Sequence, residues 1–190
     1  FSSLRTGRTY LTRSERDREL LLIVDTCVDI RDARLHPAIV TFFARGIEQT
    51  CEPWLWVRRD THDEFWCSWA APQRAQGIDH ALRQQLVPLR LALVDVDPAQ
   101  LLCHDALELA RTVRRHSRHP VDLVTRERAR RLLAEHAPPV LFQDVLHGRH
   151  PTLRCATVCR LIFDGAARLV PSGPLRAHTR VVFVEPQPTR

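Results

Sequence analysis

Asp25 closes an uninterrupted aliphatic run, Leu20-Leu21-Leu22-Ile23-Val24. A short continuous apolar run is the pattern of a strand buried on both faces, as in a parallel sheet. Ligands of open α/β sheets sit in the crevice outside the carboxyl ends of the strands. A carboxylate at that end is placed to hold a metal ion or a polar substrate, or simply to cap the segment that follows. At a strand end, Asp25→Asn opens no cavity and is expected to leave folding intact. Other residues invite chemistry less strongly. Asp95 and Asp97 form a second acid pair, with helix capping the expected duty of Asp97. His147, His150, Cys155 and Cys159 have a zinc-like order. On a strand, however, the two sulfurs would lie about 13 Å apart, at roughly 3.3 Å per residue, too far for one tetrahedral ion. Trp54 and Trp56 share one strand face and are expected in the core rather than against bases. Cys27 has no positioned histidine beside it in any recognisable motif, so nucleophilic chemistry is not expected there.

The chain that must carry these groups has 190 residues, enough for one domain with a substantial core. Its 28 basic residues are all arginine, against 22 acids, for a formal charge of +6. Arginine is the better phosphate fork, but no run of five basic residues occurs, so basicity alone supports a nucleic-acid partner weakly. No apolar run approaches the roughly 18 residues of a membrane span. The first residues lack the apolar core of a secretory signal. The six cysteines form no C-x-x-C pair, so reduced thiols and an intracellular location, cytoplasm or nucleus, are expected.

The hydrophobic pattern predicts a loose arm over 1–19, with one helical turn at Ser14 to Glu19, and a strand at 20–25. A helix carrying Ala38, Ile39, Phe42, Phe43 and Ile47 follows, ending near Gly46, then a strand over Trp54 to Val57. Asp60 to Trp69 fits either a helix face or a hairpin strand. Ile78 to Leu86 reads as helix and Leu89 to Val96 as strand. Asp97-Pro98 starts the next helix, which runs to about Arg115. Val121 to Val124 reads as a third core strand, Arg126 to His136 as a helix capped by Thr125, and Val140 to Phe142 as a fourth strand. Beyond Gly148, the stretches 153–163, 166–170 and 180–184, with an Asp164-Gly165 turn, read as an antiparallel tail. The fold expected is a three-layer α/β/α core with a mostly parallel central sheet over 20–147, plus a C-terminal antiparallel β extension over 148–190.

The segment LLIVDTCVDI resembles the first strand of PIN domains, in which an aliphatic run precedes Asp-Thr-Asn. The stretch from Asp105, with Val121-Asp122-Leu123-Val124-Thr125-Arg126-Glu127 inside it, is similar to the second half of that family, where a strand ends in Thr-x-Asp. The likeness covers roughly residues 20–145. Cys27 stands where the family has Asn.

That resemblance implies four acids: Asp25, Asp105, Glu127, and one more after the second strand, with Glu64 the best candidate and Asp60 and Asp63 its rivals. It implies a metal site of Asp25, Asp105 and Glu127 for Mg²⁺ or Mn²⁺. Such acids repel unless a cation neutralises them, and a bound ion can activate a water for attack on phosphorus. RNA is the implied partner and endonucleolytic hydrolysis the implied reaction. The alternative is a catalytically degenerate module that binds RNA or protein. Thr125, Arg126 and Arg128 are the candidate substrate contacts, with helix capping and solvated charge as their plainer roles. The C-terminal β extension is a candidate surface for a protein partner. The oligomeric state is left open.

Overall fold

The computed structural model describes residues 1–27, 29–70, 73, 77–135, 139–170 and 180–183. The chain divides into two compact units. One comprises Phe1–Val24 with Asp29–Cys103, the other Asp25–Val28 with His104–Arg190.

The aliphatic run that begins at Leu20 is a helix, not a strand. Helix α1 spans Glu15–Thr26. Ser14 and Asp17 form a reciprocal cap: the Asp17 N–H donates to Ser14 Oγ at 3.1 Å and the Ser14 N–H donates to Asp17 Oδ2 at 3.0 Å. Asp17, Leu20, Leu21, Val24 and Asp25 are the buried positions. Their spacing of i, i+3, i+4, i+7 and i+8 is one helical stripe. Leu22 and Ile23 fall off that stripe and are only half-buried.

The helix expected around 38–47 is a hairpin. Strands β2 (Val40–Ala44) and β3 (Ile47–Cys51) pair antiparallel. Arg45 (φ 53°) and Gly46 (φ 74°) form the two-residue turn between them. Positive φ at both positions is the turn geometry that suits the twist of a hairpin. Phe42 and Ala44 point inward while Thr41 and Phe43 face out, a period of two.

The main sheet of the first unit has the order β1-β4-β5-β6, from β1 (Asp32–Leu35), β4 (Leu55–Arg58), β5 (Asp63–Cys67) and β6 (Leu91–Asp95). The first two pairings are antiparallel and only β5–β6 is parallel. This overturns the expected three-layer α/β/α core with a mostly parallel sheet. Strand β4 lies within one residue of its expected span, β6 lies inside its own, and the ambiguous stretch 60–69 contains β5. Helix α2 (Ile78–Leu86) makes the crossover and buries Ile78, Leu82 and Leu86 on the sheet with Phe42, Trp69 and Leu93. Asp97 caps α3 (Pro98–Leu101) by accepting the Ala99 N–H at 2.9 Å, with Pro98 in the first turn.

The second unit is built on α4 (His104–Ser117), α5 (Leu123–Glu135), α6 (Phe142–Leu146) and α7 (Cys155–Phe163), with a three-stranded sheet of order β7-β9-β8. Here β7 is Val140–Leu141, β8 Ala167–Val170 and β9 Arg180–Phe183. The pairing of β8 with β9 is antiparallel, as expected. Two expected strands are absent. Residues 121–124 lead into and begin α5, leaving Leu123 and Val124 exposed. Residues 153–163 carry α7, whose Val158, Cys159, Leu161 and Ile162 fill the core against Val113, Leu133 and Val145. Among the described residues no helix is long and apolar enough to cross a membrane.

Candidate functional site

Asp25, Asp105 and Glu127 stand on three different helices. Asp25 is in the last turn of α1, 3% exposed, with its Oδ2 accepting from Arg114 Nη1 at 3.2 Å. Asp105 stands in the first turn of α4, where a negative charge complements the helix dipole. Glu127 pairs with Arg131 at 3.3 Å and Arg130 at 3.8 Å along its own helix. Among the described residues, no group of three or more histidine, cysteine or acidic side chains is placed to hold a metal ion. Of the three carboxylates expected to bind Mg²⁺ or Mn²⁺, Asp25 and Glu127 thus serve arginines.

The remaining acid and its rivals lie around the β4–β5 turn of the first unit. Glu64 is buried and accepts from Arg59 Nε at 2.6 Å, His62 Nε2 at 2.8 Å and Trp66 Nε1 at 2.8 Å. Burial raises its carboxyl, but the bonds from Arg59, Trp66 and His62 outweigh that, so it sits below the ordinary range. Arg59 also pairs with Asp29. Asp60 takes a two-pronged bond from Arg31, at 2.5 and 2.9 Å, and Asp63 pairs with Arg58 at 3.3 Å. Such arrangements are structural ion pairs, with every charge neutralised locally.

The zinc-like quartet also changes character. Cys155 and Cys159 share one face of α7 with their sulfurs 3.8 Å apart, not the 13 Å of a strand. His150 spends Nδ1 as acceptor for the Leu153 N–H at 3.0 Å, which ties the turn before α7.

The second unit does bring together a basic groove. A pocket of about 550 Å³ is lined by Arg118, His119, Pro120, Val121, Asp122, Arg126 and Arg160. Three elements build it: the end of α4, the start of α5 and the middle of α7. Arg118 and His119 are exposed. Arg126 Nη1 and Arg160 Nε both reach Asp164 Oδ2, each at 3.1 Å, so two guanidiniums share one carboxylate. Arg126 Nε is buried and has no hydrogen-bond partner, a donor that wants an acceptor.

Asp122, and not Thr125, caps α5. Its Oδ1 accepts the Thr125 N–H at 2.8 Å, and the Thr125 hydroxyl first, with that N–H, holds its carboxyl below the ordinary range. Thr125 is therefore inside the helix, and of the expected contacts only Arg126 lines the groove. Arg128 is exposed on the same helix. Arg118 and Arg160 were not picked out from the sequence.

One sequence signal could have found this surface. Residues 111–131 hold eight arginines against two acids, Asp122 and Glu127, a net +6. That equals the formal charge of the whole chain, so the other residues sum to zero. No run of basic residues reveals it because apolar and polar residues of α4 and α5 interrupt the arginines. No protein-family model matches the chain, and no curated protein matches it in sequence.

Proposed function

We propose that the second unit binds the phosphate backbone of RNA through the groove formed by Arg118, Arg126 and Arg160. The observation that supports this best is a groove lined by Arg118, Arg126 and Arg160 that contains a buried Arg126 Nε without a hydrogen-bond partner. Arginine presents a planar fork that fits phosphate oxygens two at a time. Among the described residues, three guanidiniums meet Asp122 and Asp164 at this groove, which leaves a positive surplus for an incoming phosphate. Asp122 already accepts the Thr125 N–H at the start of α5, so arginine side chains are the anion ligands. Leu123 and Val124, exposed in the first turn of α5 after Asp122, offer apolar area for a base.

Binding rather than hydrolysis is the reading that the ion pairs favour. A carboxylate held by arginine has no need of a divalent cation. This reading places the protein inside the cell, where its cysteines rest as thiols.

The test is fluorescence anisotropy of a labelled single-stranded RNA across salt concentrations, with EDTA or with Mn²⁺. Affinity should fall linearly with salt on logarithmic axes, be the same in EDTA, and leave the RNA intact. Affinity that ignores salt would overturn the proposal. Cleavage in Mn²⁺ that stops in EDTA would restore the metal-dependent endonuclease in place of a binding module.

A further inference from the structure

We infer that Cys51 and Cys67 form a peroxide-reactive dithiol that closes to a disulfide, independently of the groove on the second unit. Cys51 ends β3 and Cys67 ends β5, and their sulfurs lie 3.7 Å apart. The two residues belong to different sheets, so no strand pairing holds them at that separation. Cys51 is half-buried and Cys67 is 2% exposed. An oxidant thus meets Cys51 first, with Cys67 a hydrogen-bond length away.

The hydrogen bond from Cys67 eases the Cys51 thiol below its ordinary range, against the burial and the Glu52 charge that push it up. Cys67 is pushed up by the same bond, by burial and by Asp95. The asymmetry fits the two roles. The Cys51 thiolate attacks one oxygen of hydrogen peroxide and becomes a sulfenic acid; the O–O bond breaks and the leaving hydroxide takes up a proton as water. The Cys67 sulfur then attacks the Cys51 sulfur and gives up its proton. The S–S bond forms and a second water leaves. Two thiols are oxidised and one peroxide is reduced, so the balance closes. The sulfurs must approach from 3.7 Å to about 2 Å. Cys51 lies at a strand end followed by Glu52 and Pro53, where the backbone is not held by a ladder on both sides.

The second thiol pair is the internal control. Cys155 and Cys159 have almost the same sulfur separation, 3.8 Å, but sit four residues apart on α7. Residues at that spacing hold their Cβ atoms about 5–6 Å apart, beyond the roughly 3.5–4.5 Å a disulfide allows. That pair cannot close while α7 is helical.

The experiment treats the purified full chain with hydrogen peroxide, blocks remaining thiols, digests with trypsin without reduction, and analyses the peptides by mass spectrometry. Cleavage at arginine places Cys51 in peptide 46–58, Cys67 in peptide 60–74, and both Cys155 and Cys159 in peptide 155–160. The expected result is a cross-link between 46–58 and 60–74, lost on adding dithiothreitol, while 155–160 keeps two blocked thiols. In Cys67→Ala, a dimedone-type probe should trap a sulfenic acid at Cys51 that escapes detection in the wild type. Cys51→Ser should leave Cys67 unmodified. The inference is overturned if 155–160 closes as readily as the Cys51–Cys67 pair. It is overturned equally if Cys51 is oxidised beyond sulfenic acid while Cys67 stays blocked as a free thiol.

Discussion

Asp25 and Arg114 form an ion pair at 3.2 Å in which the aspartate side chain is 1% exposed and the arginine 13%. The residue that looked most like a metal ligand is thus a buried counter-ion. Losing one partner of such a pair costs about 3–5 kcal/mol, because the other charge stays in a dry site. Asp25→Asn and Arg114→Ala should each lower the urea midpoint by an amount in that range. An Asp25→Leu/Arg114→Met double variant should recover most of it. This differs from the expectation for a strand-end Asp25, that its replacement by Asn leaves folding intact. An unchanged midpoint in Asp25→Asn would show that the pair carries no stability.

Glu64 couples the first unit to acid. Its folded carboxyl lies below the ordinary 4.5 because the bonds from Arg59, Trp66 and His62 exceed the penalty of burial. A carboxyl depressed in the folded state contributes stability that is complete above the unfolded value and is lost as pH falls through the folded one. Stability should therefore decline below about pH 4.5, and Glu64→Gln should flatten that part of the curve. Urea titrations between pH 6 and pH 3, roughly the span over which carboxylates protonate, measure it. Equal slopes for the two proteins would remove Glu64 from the account.

The start of α1 separates two contributions to stability. Ser14→Ala removes only the cap hydroxyl and should cost about 1 kcal/mol. Asp17 accepts from Arg13 N–H, Ser14 N–H and Trp54 Nε1, at 2.9, 3.0 and 2.9 Å, and its Oδ1 lies 3.2 Å from His36 Nε2. Asp17→Ala leaves the Trp54 indole donor without that partner as well, so about 3 kcal/mol is expected. Thermal unfolding of the two variants side by side gives the ratio. If both cost the same, the indole bond contributes nothing.

For the groove, Arg118→Ala and Arg160→Ala should each reduce the salt slope of RNA binding by about one unit, the loss of one phosphate contact. Arg160 also braces Asp164 at 3.0 Å, so its removal should cost some stability too, while the exposed Arg118 should cost none. Arg8→Ala is the comparison, because Arg8 is committed to Asp32 at 2.7 Å in the other unit. A slope that drops equally in Arg8→Ala would mean a diffuse charge effect and not a groove.

Local signals were legible where chemistry and pattern agree. Asp97-Pro98, the strand over 91–95 and the helix over 78–86 were all readable, as were β8 and β9. The failures share a cause. Leu20–Val24, Phe42–Phe43 and Leu161–Phe163 are dense in apolar residues, so period 2 and period 3.6 fit equally well over so few positions. The deciding evidence lay beside them: Ser14 and Asp17 as a cap before Leu20, and Arg45-Gly46 as a turn after Phe43. Treating 20–25 and 121–124 as strands produced the parallel sheet and, with it, the expected convergence of acids. Arg126 was singled out in the sequence, and it lines the groove. Arg118 and Arg160 were not, because 42 positions separate them in sequence and only the packing of α7 against α4 brings both to one groove.

The basic surface over 111–131 is made wholly of arginine, in a chain that contains no lysine. A guanidinium keeps its proton at any physiological pH and is not a target for acetylation or ubiquitination, which act on lysine. The positive charge of this face is thus fixed at synthesis. Cells that silence basic surfaces by acylating amines have no handle on it, and amine-directed cross-linkers would pass over the groove. Dicarbonyl reagents such as phenylglyoxal, which condense with guanidinium groups, are the chemistry that would mark it.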